Sequence, residues 1–381
     1  MPGGVNSLWV LHPTAPSAGK SRLARRDESR PQQTSVRLQS HGEIRRKRAV
    51  SMKKSGNNWV VVLAAGDGNR LRSVTTTGTG DTVPKQFCSL RGGPSLLLDT
   101  LERAESVAAR DRICVVVASQ HRRWWGSMLS RTPSANVIVQ PMNRGTANGI
   151  LLPLLHIEAR DLDARIVILP SDHYVRDEPI LVTALESALG RLGNEFEEII
   201  LLGIHPERAD PDLGYIIPGL ADGRGFSRVD RFVEKPSELL ARRLVEAGGL
   251  WNSFILVARM GALLSLFASR HPHIAATMQS AISRDGGRTD DTNTMSEIYR
   301  ELPVTDFSRH LLPGAEAFLR VLRVGHCGWN DLGTPERLVK TLRSLPANTR
   351  TRSMDPKIAA LNLWAQYAAH DHDSSAERRH P

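Results

Sequence analysis

The sequence predicts an α/β fold with a mostly parallel central sheet flanked by helices. Two observations carry this. From Trp59 onward, short β-branched runs alternate with segments of helical spacing, the pattern of repeated strand–helix–strand units. The first runs are also apolar at nearly every position, as strands covered on both faces are.

The elements follow in order. WVVVLA at 59–64 reads as the first buried strand, RICVVVA at 112–118 as the second and NVIVQ at 136–140 as the third. RIVILP at 165–170 and EIILLGI at 198–204 supply the fourth and fifth. Segments 94–109, 146–160 and 178–192 between them carry apolar residues at helical spacing. After Ile204 the pattern loosens. YIIPG at 215–219, VDRFVEKP at 229–236 and LWNSFILVAR at 250–259 read as strands of a second subregion, with helices over 236–247, 260–270 and 334–345. A last helix is expected over 356–368, inside a C-terminal segment 346–381 that ends in a polar tail. The main folded domain is therefore placed at 57–345.

Residues 1–56 read as a disordered basic segment, rich in Ser, Arg, Gln and Pro and without periodicity. A flexible tail, a targeting peptide and translated upstream sequence all fit. The last is preferred, because Met52 stands just ahead of the first strand. SAGKS at 17–21 mimics the end of a P-loop, but Thr14 stands where that motif needs glycine and no strand precedes it.

Net charge is +10 over 381 residues, yet residues 1–51 hold ten Lys or Arg against three Asp or Glu. The basic balance thus belongs to the N-terminal segment, and no basic stripe with interleaved aromatics points to nucleic acid. No apolar run reaches the roughly 18 residues of a membrane span. Cys88, Cys114 and Cys327 lie far apart. They make neither a disulfide framework nor zinc spacing, and they suit a reducing cytoplasm.

Ligands of open α/β sheets bind beyond the carboxyl ends of the strands. After the first strand comes Ala65-Gly66-Asp67-Gly68-Asn69-Arg70-Leu71. Leu71 occupies the third glycine position of the dinucleotide fingerprint, so that motif is incomplete. A turn with outward N–H groups remains, and Arg70 and Lys85 add positive charge suited to phosphates. An ordinary turn beside two surface cations reads equally from this stretch. Asp172, after the fourth strand, suits a hard cation such as Mg2+ or a helix cap. Gln140 to Ala147 opens a helix and suits a base edge, an anion or a plain cap. Glu234 and Lys235 close the strand before Pro236, and Asp331 offers a second carboxylate. Two acids and three cations thus converge on one face.

Taken together, LAAGDGNRL, PKQF, QPMNRGTA, LPSDH, DLGYI, FVEKP, WNS and WNDLG, spread over residues 59–333, resemble the sugar-phosphate nucleotidylyltransferases. Within them the chain is most similar to the bacterial mannose-1-phosphate guanylyltransferases. The resemblance implies a Rossmann-like nucleotidyltransferase fold. It implies that Ala64, Ala65, Gly66, Gly68 and Arg70 hold the triphosphate and that Lys85 meets phosphates. Gln140, Gly145 and Thr146 would lie near the base. Lys235 would hold the sugar phosphate, with Gly214, Tyr215, Glu234 and Asn252 around the sugar. Mg2+ would sit on Asp172 and Asp331, and Arg70, Lys85 and Lys235 would serve catalysis.

The expected reaction moves a nucleoside monophosphate from an NTP to a sugar 1-phosphate and releases pyrophosphate, with GTP and mannose 1-phosphate giving GDP-mannose. The alternatives are another sugar phosphate or NTP, or a non-catalytic nucleotide-binding regulatory protein. The partners implied are small-molecule substrates, with no nucleic acid and no membrane, and with room for a homo-oligomer. Departures bear on base and sugar choice. Ala65 replaces a usual glycine, 73–83 is inserted before Pro84, Asn148 replaces a usual proline, Phe254 a usual glycine and Asn330 a usual serine. The Thr- and Gly-rich insert suggests a lid. A chain of this length is not expected to carry the fused isomerase domain of some relatives.

Overall fold

Strand β1 (Asn58–Ala64) is central to the architecture because its alternate side chains serve two cores. Trp59 and Val61 face one, Val60 and Val62 the other, as the twofold period of a strand requires. In the computed structural model, residues 56–76, 82–90, 93–193, 198–284 and 292–345 are described. The first core is closed by helix α3 (Thr146–Glu158), helix α6 (Met260–Arg270) and helix α7 (Pro272–Arg284). The second is closed by α1 (Leu96–Val107) and α4 (Glu178–Arg191). The result is a sheet with helices on both faces.

The sheet has nine strands in the order β3-β2-β1-β4-β8-β5-β9-β7-β6. Here β2 is Ile113–Ala118, β3 Val137–Gln140, β4 Arg165–Pro170 and β5 Ile199–Ile204. The others are β6 (Tyr215–Ala221), β7 (Phe226–Val233), β8 (Leu250–Arg259) and β9 (Leu319–Arg323). β3, β2, β1 and β4 pair in parallel, while β8 runs antiparallel between β4 and β5. β5 and β9 then resume the first direction. The sheet is thus mostly parallel in direction, with β7 and β8 reversed.

The runs after Ile204 belong to this same sheet and not to a second subregion. The apolar ten-residue β8 is buried nearly throughout, and a strand covered on both faces belongs at the centre. β6 also pairs with β8, Tyr215 against Trp251 and Ile216 against Leu250. The last five strands thereby close on themselves and leave less free edge.

The remaining described helices of seven residues or more are α2 (Arg122–Met128), α5 (Glu238–Glu246), α8 (Thr292–Glu301) and α9 (Pro335–Ser344). Helix α9 packs Leu338, Val339 and Leu342 with Leu71, Leu90 and Tyr174 in a small third core. Strand β9 and helices α2, α7 and α8 are not expected from the sequence. β9 is five residues with arginines at Arg320 and Arg323, too short and mixed for a periodicity reading. At the root of the 73–83 insert, Thr76 bridges Thr82, with hydroxyl oxygens 3.1 Å apart. The centre of that insert, residues 1–55 and the expected helix 356–368 lie outside the described residues.

Candidate active site

A cavity of about 540 Å3 opens over the carboxyl ends of β1, β3 and β4. It brings together Ala65, Gly66, Gly68, Arg70, Gln140, Gly145, Thr146, Asp172, Gly214, Glu234, Lys235, Asn252 and Asp331. Ala64, Tyr215 and Lys85 are not among the lining residues.

The glycine turn is braced from three sides. Gln86 donates its amide to the carbonyls of Ala64, at 3.0 Å, and Gly66, at 2.8 Å. Ala64 itself is buried and takes part through its backbone. Gly68 is left-handed at φ 64°, and a Cβ there would lie 3.1 Å from the Lys85 backbone nitrogen. This glycine therefore serves both a conformation and a close approach. The Asp67 carboxylate accepts from Gln120 at 3.1 Å and Asn143 at 3.2 Å, which ties the turn to the loops after β2 and β3. Arg70 is exposed at the mouth.

Lys85 lies just below the cavity and is buried. Its Nζ stands 3.0 Å from Asp172 Oδ2 and donates to the Asp331 carbonyl at 2.5 Å. Ser171 fixes the Asp172 backbone by donating its hydroxyl and its N–H to the Leu63 carbonyl, at 2.7 and 3.1 Å. Burial raises the Asp172 pKa, but Lys85 and then His173 outweigh it and hold the carboxyl below its usual value. Helix α4 begins after Asp177, so Asp172 does not cap it. Burial likewise raises the Asp331 pKa and is outweighed, here chiefly by Arg337. His173 stacks edge-on against Trp329 at 5.2 Å, and burial holds its imidazole below the usual value against the pull of Asp172.

The groups beside the Lys85 ammonium are all oxygens: the Asp172 carboxylate, the Asp331 carbonyl and, at 3.5 Å, the Leu332 carbonyl. Among the described residues no cluster of three or more acidic, His or Cys side chains forms a closed metal cage. Two carboxylates with open positions suit a cation such as Mg2+, which keeps waters and takes phosphate oxygens. A lysine ammonium already occupies the space between the two acidic segments, so the site accommodates positive charge.

At the other end, Gly214 lets Glu234 approach, since a Cβ there would lie 2.5 Å from Glu234 Oε2. The Asn252 N–H donates to the Gly214 carbonyl at 2.8 Å, and its side-chain amide donates to Ser308 at 3.4 Å. Tyr215 points away from the cavity. Its buried phenol donates to the Asp210 carbonyl at 3.0 Å and accepts from the Asp210 N–H at 2.7 Å and the Trp251 indole at 3.2 Å. It braces the loop and is not placed to touch a sugar. The reason is strand alternation, which sends Tyr215 into the second core.

Among the described residues three non-glycines have positive φ: Lys235 at 47°, Phe254 at 58° and Leu332 at 50°. Lys235 and Phe254 line the cavity, and Leu332 follows Asp331. Lys235 also precedes Pro236, where extended backbone is favoured. Strain of this kind gathers at functional sites.

Glu234 has its pKa raised from 4.5 to about 7, first by burial and then by Asp306, against Lys235, Arg309 and Arg70. The folded protein therefore binds more protons than the unfolded chain between these values. That group's contribution to stability falls as pH rises through this window. Glu234→Gln is expected to raise the melting temperature relative to wild type at pH 8 and to leave it nearly unchanged at about pH 4, below the unfolded value. A difference equal at both pH values would contradict the shift.

Segment 303–308 is absent from the sequence reading, yet Val304, Asp306 and Ser308 line the cavity. The Thr305 carbonyl accepts the Ala147 N–H at 3.0 Å, and Thr146 Oγ1 accepts the Phe307 N–H at 2.8 Å. These contacts occupy groups at the start of α3 that otherwise read as an open anion site. Gln140 donates to the Tyr299 hydroxyl of α8 at 3.0 Å. Nothing local in PVTDFS announces such contacts, which span about 160 residues.

The chain belongs to the nucleotidyl transferase family, whose profile matches residues 59–347. The xanthan biosynthesis protein XanB of Xanthomonas campestris pv. campestris is 30% identical over 280 residues, 72% of this chain and 57% of that protein. The mannose-1-phosphate guanylyltransferase of Escherichia coli is 27% identical over 252 residues, 64% of this chain and 51% of its own. The chain thus spans about half the length of these relatives. A solved structure from Thermus thermophilus, described as a mannose-1-phosphate geranyltransferase, superposes with a TM-score of 0.60 at 24% identity. It covers 76% of this chain and 80% of its own, and the likeness is one of fold. Among the described residues no helix is long and apolar enough to cross a membrane.

Proposed function

We propose that this protein transfers a nucleoside monophosphate from an NTP to a sugar 1-phosphate and releases pyrophosphate, with GTP and mannose 1-phosphate as the substrates. One observation carries the reading. A braced glycine turn, two carboxylates and the cations Arg70 and Lys235 share one cavity, with Lys85 beneath it bridging the acidic segments. The relatives named for mannose-1-phosphate guanylyl transfer support the substrate pair.

The sugar phosphate oxygen forms a bond to the α-phosphorus, and the bond from that phosphorus to the β-bridging oxygen breaks. Pyrophosphate leaves with the electron pair. The attacking phosphate is already anionic at neutral pH, so no general base is required. The work lies in bringing two anions together in line. Arg70 and Lys85 oppose the charge of the departing pyrophosphate, and Lys235 holds the sugar phosphate. A Mg2+ ion held by Asp172 and Asp331 would supply charge neutralisation at the phosphates.

Phe254 lines the cavity two residues from Asn252, where glycine is usual in the guanylyltransferases. This supports a second reading, the same reaction on a different sugar phosphate. Pyrophosphate release should be measured with Mg2+, crossing GTP, ATP, UTP and dTTP against mannose 1-phosphate and glucose 1-phosphate. Release with GTP and mannose 1-phosphate alone is expected. Release with another pair keeps the chemistry and changes the substrate, and silence from folded protein would refute the reaction. Lys235→Ala is expected to raise KM for the sugar phosphate by about 10- to 100-fold, the value of one charge-assisted hydrogen bond. An unchanged KM would remove Lys235 from that role.

A further inference from the structure

Arg337 takes no part in the chemistry above, yet it touches both ends of the site. It lies near the start of α9 and is 6% exposed. Its Nη1 donates to Asp331 Oδ1 at 2.6 Å. Its Nε donates to Asp210 Oδ2 at 3.1 Å, and its Nη2 contacts Asp210 Oδ1. Gly333 leaves room for this pair, since a Cβ there would lie 2.9 Å from Nη1.

Asp210 is a corner post. Its backbone N–H and carbonyl both bond the Tyr215 hydroxyl, and its Oδ1 accepts the Asp212 N–H at 3.1 Å. The residues that follow, Asp212, Leu213 and Gly214, line the cavity, and Gly214 lies against Asn252 and Glu234. A guanidinium is a rigid planar fork that holds two carboxylates in a fixed geometry, where a lysine offers a mobile point charge. Here one fork joins a carboxylate of the acidic end to the loop of the sugar end.

We propose that Arg337 is a positioning residue that sets Asp331 and the Asp210–Gly214 loop together, so that helix α9 fixes the spacing between the cation end and the sugar end of the site. This rests on the reading of Asp331 as a metal ligand and of Gly214 as a wall of the sugar subsite. It also makes Arg337 the resident counter-charge of Asp331, as Lys85 is of Asp172.

The test uses the full chain and Mn2+ as the probe, titrated without nucleotide by electron paramagnetic resonance, together with KM for the sugar 1-phosphate. Arg337→Met is expected to bind Mn2+ at least about 5-fold tighter, because a positive charge beside the cation is removed. Its sugar-phosphate KM should rise about 10-fold or more as the corner is released. Asp210→Asn should raise KM similarly while leaving Mn2+ affinity within about 2-fold, because Arg337 still holds Asp331. That split distinguishes positioning from bracing. Variants that only lower the melting temperature, with Mn2+ affinity and KM unchanged, would overturn the proposal.

Breaking a buried ion pair is costly, so Arg337→Met could fail to fold. The double variant Arg337→Met/Asp210→Asn then removes one of the two carboxylates that lose Arg337, the one Arg208 also contacts at 3.2 Å, and is read by the same Mn2+ titration. Tighter Mn2+ binding supports the proposal and unchanged binding overturns it. If wild-type protein turns over no substrate pair, the proposed reaction falls, while the Mn2+ comparison still decides Arg337. Wild-type protein that binds no Mn2+ overturns this proposal and the metal reading together.

Discussion

Asp172→Asn should lower turnover by about 10²-fold or more, the scale of losing one electrostatic contact in the transition state. The substitution keeps the shape of the side chain and removes its charge. The Ser171 bonds to the Leu63 carbonyl remain to hold the backbone, so the variant should fold. Lys85, now 3.0 Å from a neutral amide instead of a carboxylate, loses its ionic partner and should bind phosphates no worse than before. The expected signature is a kcat loss with KM for the nucleotide little changed. Steady-state kinetics on both substrates, with circular dichroism to verify folding, check it. Near-normal turnover would remove Asp172 from the cation site.

Gly145→Ala should be the most damaging single-methyl change in the cavity. Gly145 has φ 85° and ψ 167°, a region open essentially to glycine alone. A Cβ there would collide with Thr305, whose backbone carbon and nitrogen would lie at 2.7 and 2.9 Å. Backbone strain of this kind costs about 1–3 kcal/mol and overpacking about 1–3 kcal/mol, which gives a loss of roughly 2–6 kcal/mol. The collision pushes segment 303–308 away from α3 and breaks the Ala147 and Thr305 bonds. Both stability and nucleotide affinity should fall. Urea unfolding and nucleotide titration measure the two. A variant as stable as wild type, with normal nucleotide binding, would show that this contact does not shape the site.

The comparison between Gly145 and Gly68 shows why some of the site is legible in the chain and some is not. Gly68 belongs to a local turn whose spacing to Arg70 is visible in seven consecutive residues. Gly145 is constrained by Thr305, 160 residues away. Tyr215 shows the opposite failure. It stands beside Gly214 in a matching segment, but strand alternation turns it into the core.

The strand–helix alternation, the apolar strands, the glycine turn and the acids and lysines at strand ends are all readable from the chain, because short-range periodicity and turn chemistry encode them. The remaining features exist only in the folded molecule. Folding placed β8 at the sheet centre, set β9 beside β5 and brought α8 and segment 303–308 onto the base of α3. It also put Lys85 between Asp172 and Asp331, and Arg337 between Asp331 and Asp210. Those contacts join residues separated by up to 246 positions. No local pattern records such a pairing, because the free energy that selects it comes from burying apolar surface and matching charges across the folded core.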